Sequence, residues 1–194
     1  LSDRIKWDMD SDDELVWKYP SEEILIGSQL IVGEGQQAVF CKSGELFDIF
    51  GPGRHTLTTA NLPLLRKVVN FPFFGKKTPF VAEIWYVSKL KKMNILWGTK
   101  APIPLMDHMI GVPVSVRAFG QWGYHATSPA RLIKQFVGTK SSFSRTELAD
   151  YMYGKLIQSL TESIAECFLN GISILEITNH LEKIADTYTV LNIC

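Results

Sequence analysis

The residues able to do chemistry are few, and their spacing assembles no catalytic motif. His55, His108, His125 and His180 fall one to a segment, so a metal site would need the fold to gather them. Gly33-Glu34-Gly35 lacks the Lys-Ser/Thr pair and following helix of a phosphate-binding loop. There is no GxSxG elbow, no HExxH and no Cys-His pairing. Asp107-His108 is at most half of an acid/base pair. Arg54 beside His55 has the chemistry to grip an anion, yet one arginine at a turn reads more simply as a surface residue. His55, placed by a glycine-rich turn, reads as a hydrogen-bonded structural histidine. Cys41, Cys167 and Cys194 are far apart and odd in number, which argues for a reducing compartment and against a disulfide framework. Cys41 and Cys167 read as buried apolar residues. No catalytic residue, metal or cofactor is expected, and the chain reads as a structural or interaction module.

Composition narrows the partners. With 194 residues, 46% hydrophobic and 21% charged, the chain can build a real core. Twenty basic and twenty acidic residues cancel, which gives no electrostatic reason to expect nucleic-acid binding. Their distribution is uneven. Asp3, Asp8, Asp10, Asp12, Asp13 and Glu14 crowd the beginning, whereas residues 89–100 carry only bases. The first 16 residues therefore read as an acidic, poorly ordered lead-in. No run of about eighteen apolar residues is present to span a bilayer. The chain opens on Leu1 and stops at Cys194 in weakly structured sequence, which reads as a sequence trimmed at its ends.

The densest local signal lies at 17–59. Residues 28–32, 36–41 and 46–50 read as three strands in succession, separated by Gly33–Gly35 and Ser43-Gly44. Gly51-Pro52-Gly53 closes this expected meander, since proline fixes φ and the flanking glycines release it. Trp17 and Tyr19, two apart, share one face of an extended lead-in; core packing is the simpler reading and a docking surface the alternative. Residues 61–69 read as a short helix, with Asn61 as cap and Pro63 in its first turn. Phe71, Phe73 and Phe74 form an aromatic knot that is an interaction patch if exposed and a plug for the sheet if buried. Residues 80–87 have strong strand composition, 94–99 and 103–106 are shorter candidates, and 111–124 alternates with one apolar face. Lys89, Lys91 and Lys92 sit between two strands, either as a solvated hairpin tip or in contact with anionic lipid.

From Ser128 the period becomes helical. Ser128-Pro129 reads as cap and first position of a helix ending at Gly138, and 140–144 as a polar linker. Ser144 and Glu147 fit a capping box at the head of a helix over about 144–170, stopped by Asn170-Gly171. Leu148, Met152, Leu156, Leu160, Ile164 and Phe168 form its apolar stripe. Ser173 then caps a helix over about 173–186, with Leu175, Ile177, Leu181 and Ile184 buried. Strands first and helices last give an α+β fold: an antiparallel-rich N-terminal sheet, helices on one side and a C-terminal helical extension. The expected domains are a core at 17–138 and a helical part at 139–194.

Several of these residues carry a resemblance. Trp17, Tyr19 and Pro20, then Gly27-Ser28-Gln29-Leu30 with Glu34, Gln37 and Ala38, then Gly51-Pro52-Gly53-Arg54-His55-Thr56-Leu57 with Asn61 and Pro63, resemble the SPFH or Band 7 superfamily of stomatins, prohibitins, flotillins and the HflK/C proteins. In particular the pattern looks like the bacterial YdjI-like branch, described as "virion core protein-like". The resemblance covers most of residues 15–170. It implies a non-catalytic scaffold that forms homo-oligomers and organises proteins or lipids at the cytoplasmic face of a membrane, held there peripherally or through a membrane-anchored partner. It carries over no catalytic residue and no small-molecule substrate. Residues 1–17 depart from the family in being acidic and polar where stomatins and prohibitins have a membrane-inserted segment. The competing expectation is a soluble enzyme or ligand-binding domain with a pocket near Phe71–Phe74, His55 and His108.

Overall fold

The computed structural model describes residues 4–9, 11–58, 79–137, 140–181 and 184. Its elements, in chain order, are β1 (Arg4–Lys6), β2 (Glu14–Lys18), β3 (Glu23–Leu25), β4 (Gln29–Val32), β5 (Gln36–Lys42), β6 (Glu45–Phe50), β7 (Gly53–Thr56), β8 (Pro79–Val81), β9 (Glu83–Ser88), β10 (Lys92–Gly98), β11 (Ile103–Asp107), β12 (Val112–Val116), β13 (Phe119–Tyr124), helix α1 (Pro129–Leu132), β14 (Ser142–Ser144) and helix α2 (Arg145–Leu169). The architecture is α+β. It divides into two units, the first from the described residues of Leu1–Lys91 and His125–Thr146, the second from those of Lys92–Tyr124 and Glu147–Ile193. This differs from the expected boundary near residue 138, because the strands at 92–124 belong with the C-terminal helix.

The first unit is built on a five-stranded sheet in the order β14-β2-β9-β5-β6, every pair antiparallel. Central β9 is buried from Ile84 to Ser88, which its unbroken apolar composition requires of a strand covered on both faces. One face presents Ala38, Phe40, Phe50, Ile84 and Tyr86 to Ile5, Leu30 and Val32 of a second sheet, β1-β4-β7. The Tyr86 hydroxyl sits between the carbonyls of Ile5 (3.1 Å) and Ile31 (2.9 Å), tying the sheets together. β3 and β8 form a separate antiparallel pair.

The expected three-strand meander is therefore corrected. The strands at 36–42 and 45–50 do pair with each other, but β4 pairs with β1 in parallel and with β7 in the second sheet. The chain switches sheets at the Gly33–Gly35 turn. Gly35 takes φ +72, where a side chain is strained, and a Cβ there would meet the Leu90 side chain at 2.8 Å. Gln36 locks the corner: its Oε1 accepts from Gly33 N (3.0 Å) and its Nε2 donates to Trp7 O (3.4 Å). The Gly51-Pro52-Gly53 turn likewise carries the chain from one sheet to the other rather than closing a single one.

Five more local expectations are revised. The acidic lead-in contributes β1 and the start of β2, because Ile5 and Trp7 alternate with its charges and are buried, and Leu15 and Val16 are buried side by side in β2. The polar linker at 140–144 contains β14, paired with β2. Residues 80–87 split at Ala82 into β8 and β9, and 111–124 splits into β12 and β13. The helix at Ser128 runs as α1 and then as a π-helical turn over Ile133–Val137, and Ser128 makes no side-chain cap bond. The expected helix at 61–69 lies outside the described residues.

The second unit joins two antiparallel ribbons, β10-β13 and β11-β12, to α2. Its core holds Ile103, Leu160, Ile164, Cys167, Phe168, Ile177 and Ile184, with Trp97, Leu105, Val114 and Val116 partly buried against it. The α2 stripe from Leu148 to Phe168 is buried as its four-residue spacing predicts. At the helix head, Asp13 accepts from Thr146 N (3.0 Å) and Thr146 Oγ1 (2.8 Å), a long-range cap beyond the expected Ser144–Glu147 box. At its end, Gly171 at φ +79 lets Ile172 N reach Cys167 O and Gly171 N reach Phe168 O, the paired bonds of a Schellman stop. The expected final helix begins instead as turns followed by a short 3-10 segment, Ile177–His180. Ile177 and Ile184 are buried as expected, whereas Leu175 and Leu181 are exposed.

Candidate functional site

The signature turn is structural. His55 Nε2–H donates to Gly51 O at 2.9 Å, and its ring lies 5.0 Å from that of Phe50. This bond spans the Gly51-Pro52-Gly53 turn and orients β7, while Pro52, Gly53 and Arg54 are exposed on it. His108 is exposed beyond the end of β11 in the second unit. Each histidine thus sits in its own local setting, and Phe71, Phe73 and Phe74 lie outside the described residues. The pocket reading receives no support from this placement. Among the described residues, no group of three or more His, Cys, Asp or Glu is placed to hold a metal ion.

Trp17 and Tyr19 pack partly buried against the first unit's core. Trp17 stacks on Trp7 at 6.2 Å, meets Tyr19 edge-on at 6.1 Å and tilts against Tyr86 at 6.0 Å. Such ring pairs stabilise beyond their buried area. Between them along the chain, Lys18 Nζ bonds Glu22 (2.7 Å) and Glu83 (3.2 Å) and lies over the Trp85 ring. Burial alone lowers the Lys18 pKa, but these carboxylates outweigh it and hold the ammonium above its ordinary value. Trp17, Lys18, Tyr19 and Glu22 line an open cleft of about 440 Å³ with Glu14, Pro20, Ser141 and Ser142. Its cation is already paired, so the cleft offers no free charge to an anionic ligand.

A second cleft, of about 230 Å³, has Cys41, Glu83, Trp85, Ile133 and Lys134 on its walls. Burial first, then the Glu83 carboxylate, push the Cys41 thiol up to about 12. A thiol held there supplies almost no thiolate at neutral pH, so it is not a nucleophile. Asp107 is likewise structural. Its fully buried carboxylate accepts from Ile174 N (2.8 Å), Ser173 Oγ (2.7 Å), Met109 N (2.9 Å) and Ile110 N (3.3 Å). Burial opposes ionisation, but the four bonds prevail and lower the pKa. The residue weighed as half of an acid/base pair is a staple between the turn after β11 and the segment after α2.

Lys89 and Lys91 link β9 to β10, and Lys92 opens β10. They are not a hairpin tip, since β9 pairs with β2 and β5 whereas β10 pairs with β13. The feature that sequence reasoning missed lies beyond them. The second unit exposes Phe119 (88%), Leu96 (80%), Leu175 (77%), Met109 (66%) and Met93 (64%). In the sequence Leu96 sits among Ile95 and Trp97, so both phases of the strand are apolar and the alternation that marks an outward face is lost.

Among the described residues the chain is a strand-rich α+β fold in which Asp107 and Lys18 are held by hydrogen bonds and ion pairs, and the most exposed large apolar side chains lie in the second unit. The model of the SPFH domain-Band 7 family matches residues 16–191, and the chain belongs to that family. The uncharacterized protein YdjI of Bacillus subtilis (strain 168) is 28% identical over 144 residues, covering 74% of this chain and 44% of that protein. The chain therefore spans less than half the length of this relative. No solved structure matches it significantly. No helix among the described residues is long and apolar enough to cross a membrane.

Proposed function

We propose that this chain is the SPFH part of a non-catalytic scaffold, which self-associates and organises proteins or lipids at the cytoplasmic face of a membrane. Family membership supports the class of protein. The observation that carries the reading is the apolar surface of the second unit. Phe119 and Leu96 on one ribbon, and Met106, Met109 and Ile110 around the β11–β12 turn, are exposed where the fold itself gains nothing from them. Concentrated apolar exposure of this kind marks association surfaces. The staple at Asp107 holds the β11–β12 turn rigid, which lowers the ordering cost of binding there. Sedimentation velocity of the intact protein over a concentration series tests self-association. Mass that grows with concentration is expected, and a strict monomer throughout would contradict it.

A further inference from the structure

We propose that the end of the second unit where the β11–β12 turn meets the segment after α2 docks a basic amphipathic helix of a partner protein. Met109, Ile110, Val112, Leu169 and Leu175 supply the apolar contact, and Glu166 and Glu176 meet the partner's cations. The inference rests on the protein-organising half of the function proposed above and gives it a site and a partner chemistry.

The Asp107 staple brings the apolar residues to one place. Its Oδ1 accepts from Met109 N and Ile110 N in the turn, and its Oδ2 from Ser173 Oγ and Ile174 N after α2. Val112 lies opposite Asp107, and directly opposed residues of an antiparallel pair project to the same side. Met109 reaches the segment after α2 as well, since a Cβ on Gly171 would lie 3.9 Å from its Sδ. Leu169 ends α2 just before Gly171, and Leu175 follows the stapled Ile174. Each of these side chains is exposed, Leu169 and Leu175 at 77% and Met109 at 66%. Met106 does not belong with them: next to Asp107 in β11 and opposite Pro113, it projects to the other side of the ribbon.

Charge selects the occupant. Residues 101–116 and 156–181, which build this end of the unit, hold Asp107, Glu162, Glu166 and Glu176 and no Lys or Arg. The glutamates are exposed. Glu176 adjoins Leu175, and Glu166 precedes Leu169 at the i, i+3 spacing of helix neighbours. The unit's described bases lie elsewhere. Lys100 and Arg117 flank the far end of the β11–β12 ribbon, about 13 Å from the turn, beyond the ~8 Å Debye length of physiological salt. Lys155 is about 20 Å back along α2, and Lys92 opens the other ribbon. Such a rim repels nucleic acid and anionic bilayers. A second copy seated on it by a two-fold axis would set glutamate against glutamate. A basic partner is matched. Strand addition is not open to it at the patch, because the N–H groups of Met109, Ile110, Gly111, Ile172, Ile174 and Leu175 are already bonded within the fold. Recognition must run through side chains, which an amphipathic helix presents as apolar anchors at i, i+3, i+4 and i+7. The flexible thioether of Met109 suits it to such a helix face.

The test is titration of the intact protein into two labelled helical peptides of one amphipathic leucine pattern, followed by fluorescence anisotropy. One peptide carries lysine at its polar positions and the other glutamate. The leucine–lysine peptide is expected to bind and the leucine–glutamate peptide to stay free. Met109→Ser with Leu175→Ser should weaken binding at least about tenfold through lost apolar contact. Glu166→Lys with Glu176→Lys reverses the rim and should weaken it about tenfold. Both variants should keep the parent's circular dichroism and sedimentation, since the positions are exposed. Leu96→Ser, on the other ribbon, should bind the peptide as the parent does. The Met109 methyl resonance gives a direct readout and should shift as the leucine–lysine peptide is added. Parent-like binding by either double variant, equal binding of the two peptides, or an unmoved Met109 methyl overturns the proposal. So does loss of self-association in the Met109/Leu175 variant, which would make the patch a contact between copies. A parent that assembles but binds neither peptide ends the helix inference while the self-association reading stands.

Discussion

The two units solve the problem of a small core differently. In the first, β9 is covered on both faces, and the Tyr86 hydroxyl and Gln36 amide close the joins between sheets. Its exposed large apolar side chains, among the described residues, are Ile49, Val81 and Leu90. In the second, two ribbons lay one side each against a helix, and the free sides and turns carry Met93, Leu96, Met106, Met109 and Phe119 in the open. Apolar surface left uncovered contributes nothing to folding, since stabilisation follows the area removed from water. The contrast teaches that, among the described residues, the first unit's apolar side chains are mostly spent on folding whereas several of the second's stay outside its core.

The sharpest way to break that contrast is to damage each unit where it is said to be strong. Phe40 is fully buried and meets Phe50 edge-on at 5.5 Å. Phe40→Ala should cost about 3–5 kcal/mol, read by denaturant unfolding. A loss below about 1 kcal/mol would mean that the first unit is loosely packed after all.

Next in size is Asp107. Asp107→Ala strips the acceptor from Ser173 Oγ and three backbone N–H groups in a buried place, leaving donors that must find water or stay unsatisfied. The second unit should lose stability, with the Ile174 and Met109 amide resonances shifting most. The same staple sets a pH dependence. Its folded pKa lies below the ordinary 3.8, so its stabilisation is present above that value and is lost as pH falls through the lower, folded one. An amide titration of Ile174 showing no transition on acidification would show that the carboxylate is not the acceptor that matters.

Asp13→Ala should cost about 1 kcal/mol by removing the long-range cap on α2. The smallest effect is expected where the contrast is most pointed. Leu96→Ser and Phe119→Ser should each change stability by less than about 0.5 kcal/mol, as exposed positions do. A large loss there would place those residues in the fold rather than on its working surface.

What the sequence discloses divides along the same line. Residues 36–42, 45–50 and 145–169 are legible because their signals are local: strand composition around a Ser43-Gly44 turn, and apolar spacing ended by Asn170-Gly171. The exchange of partners at Gly33–Gly35 is not legible, because nothing within reach of that turn says that β4 will pair with residues 4–6. Asp13 as the α2 cap and Asp107 as a staple are hidden for the same reason, each acting on residues far away in the chain. The exposed face of β10 is hidden for a different one. A strand with apolar residues in both phases cannot announce which side faces water. The family resemblance was legible in the stretch from Trp17 to Pro63, densest around residues that prove to be structural.

The most direct test of the central claim is hydrogen exchange, followed by mass spectrometry, on the intact protein at concentrations below and above its self-association. Among the described residues β10 and β13 pair as strands only with each other, so the ribbon's amides should report engagement readily. Added protection confined to peptides from 92–98 and 119–124, with those from β5 and β9 unchanged, is the predicted result. Protection in the first unit's strands, or none anywhere, would contradict the division between a folded base and a recognition surface.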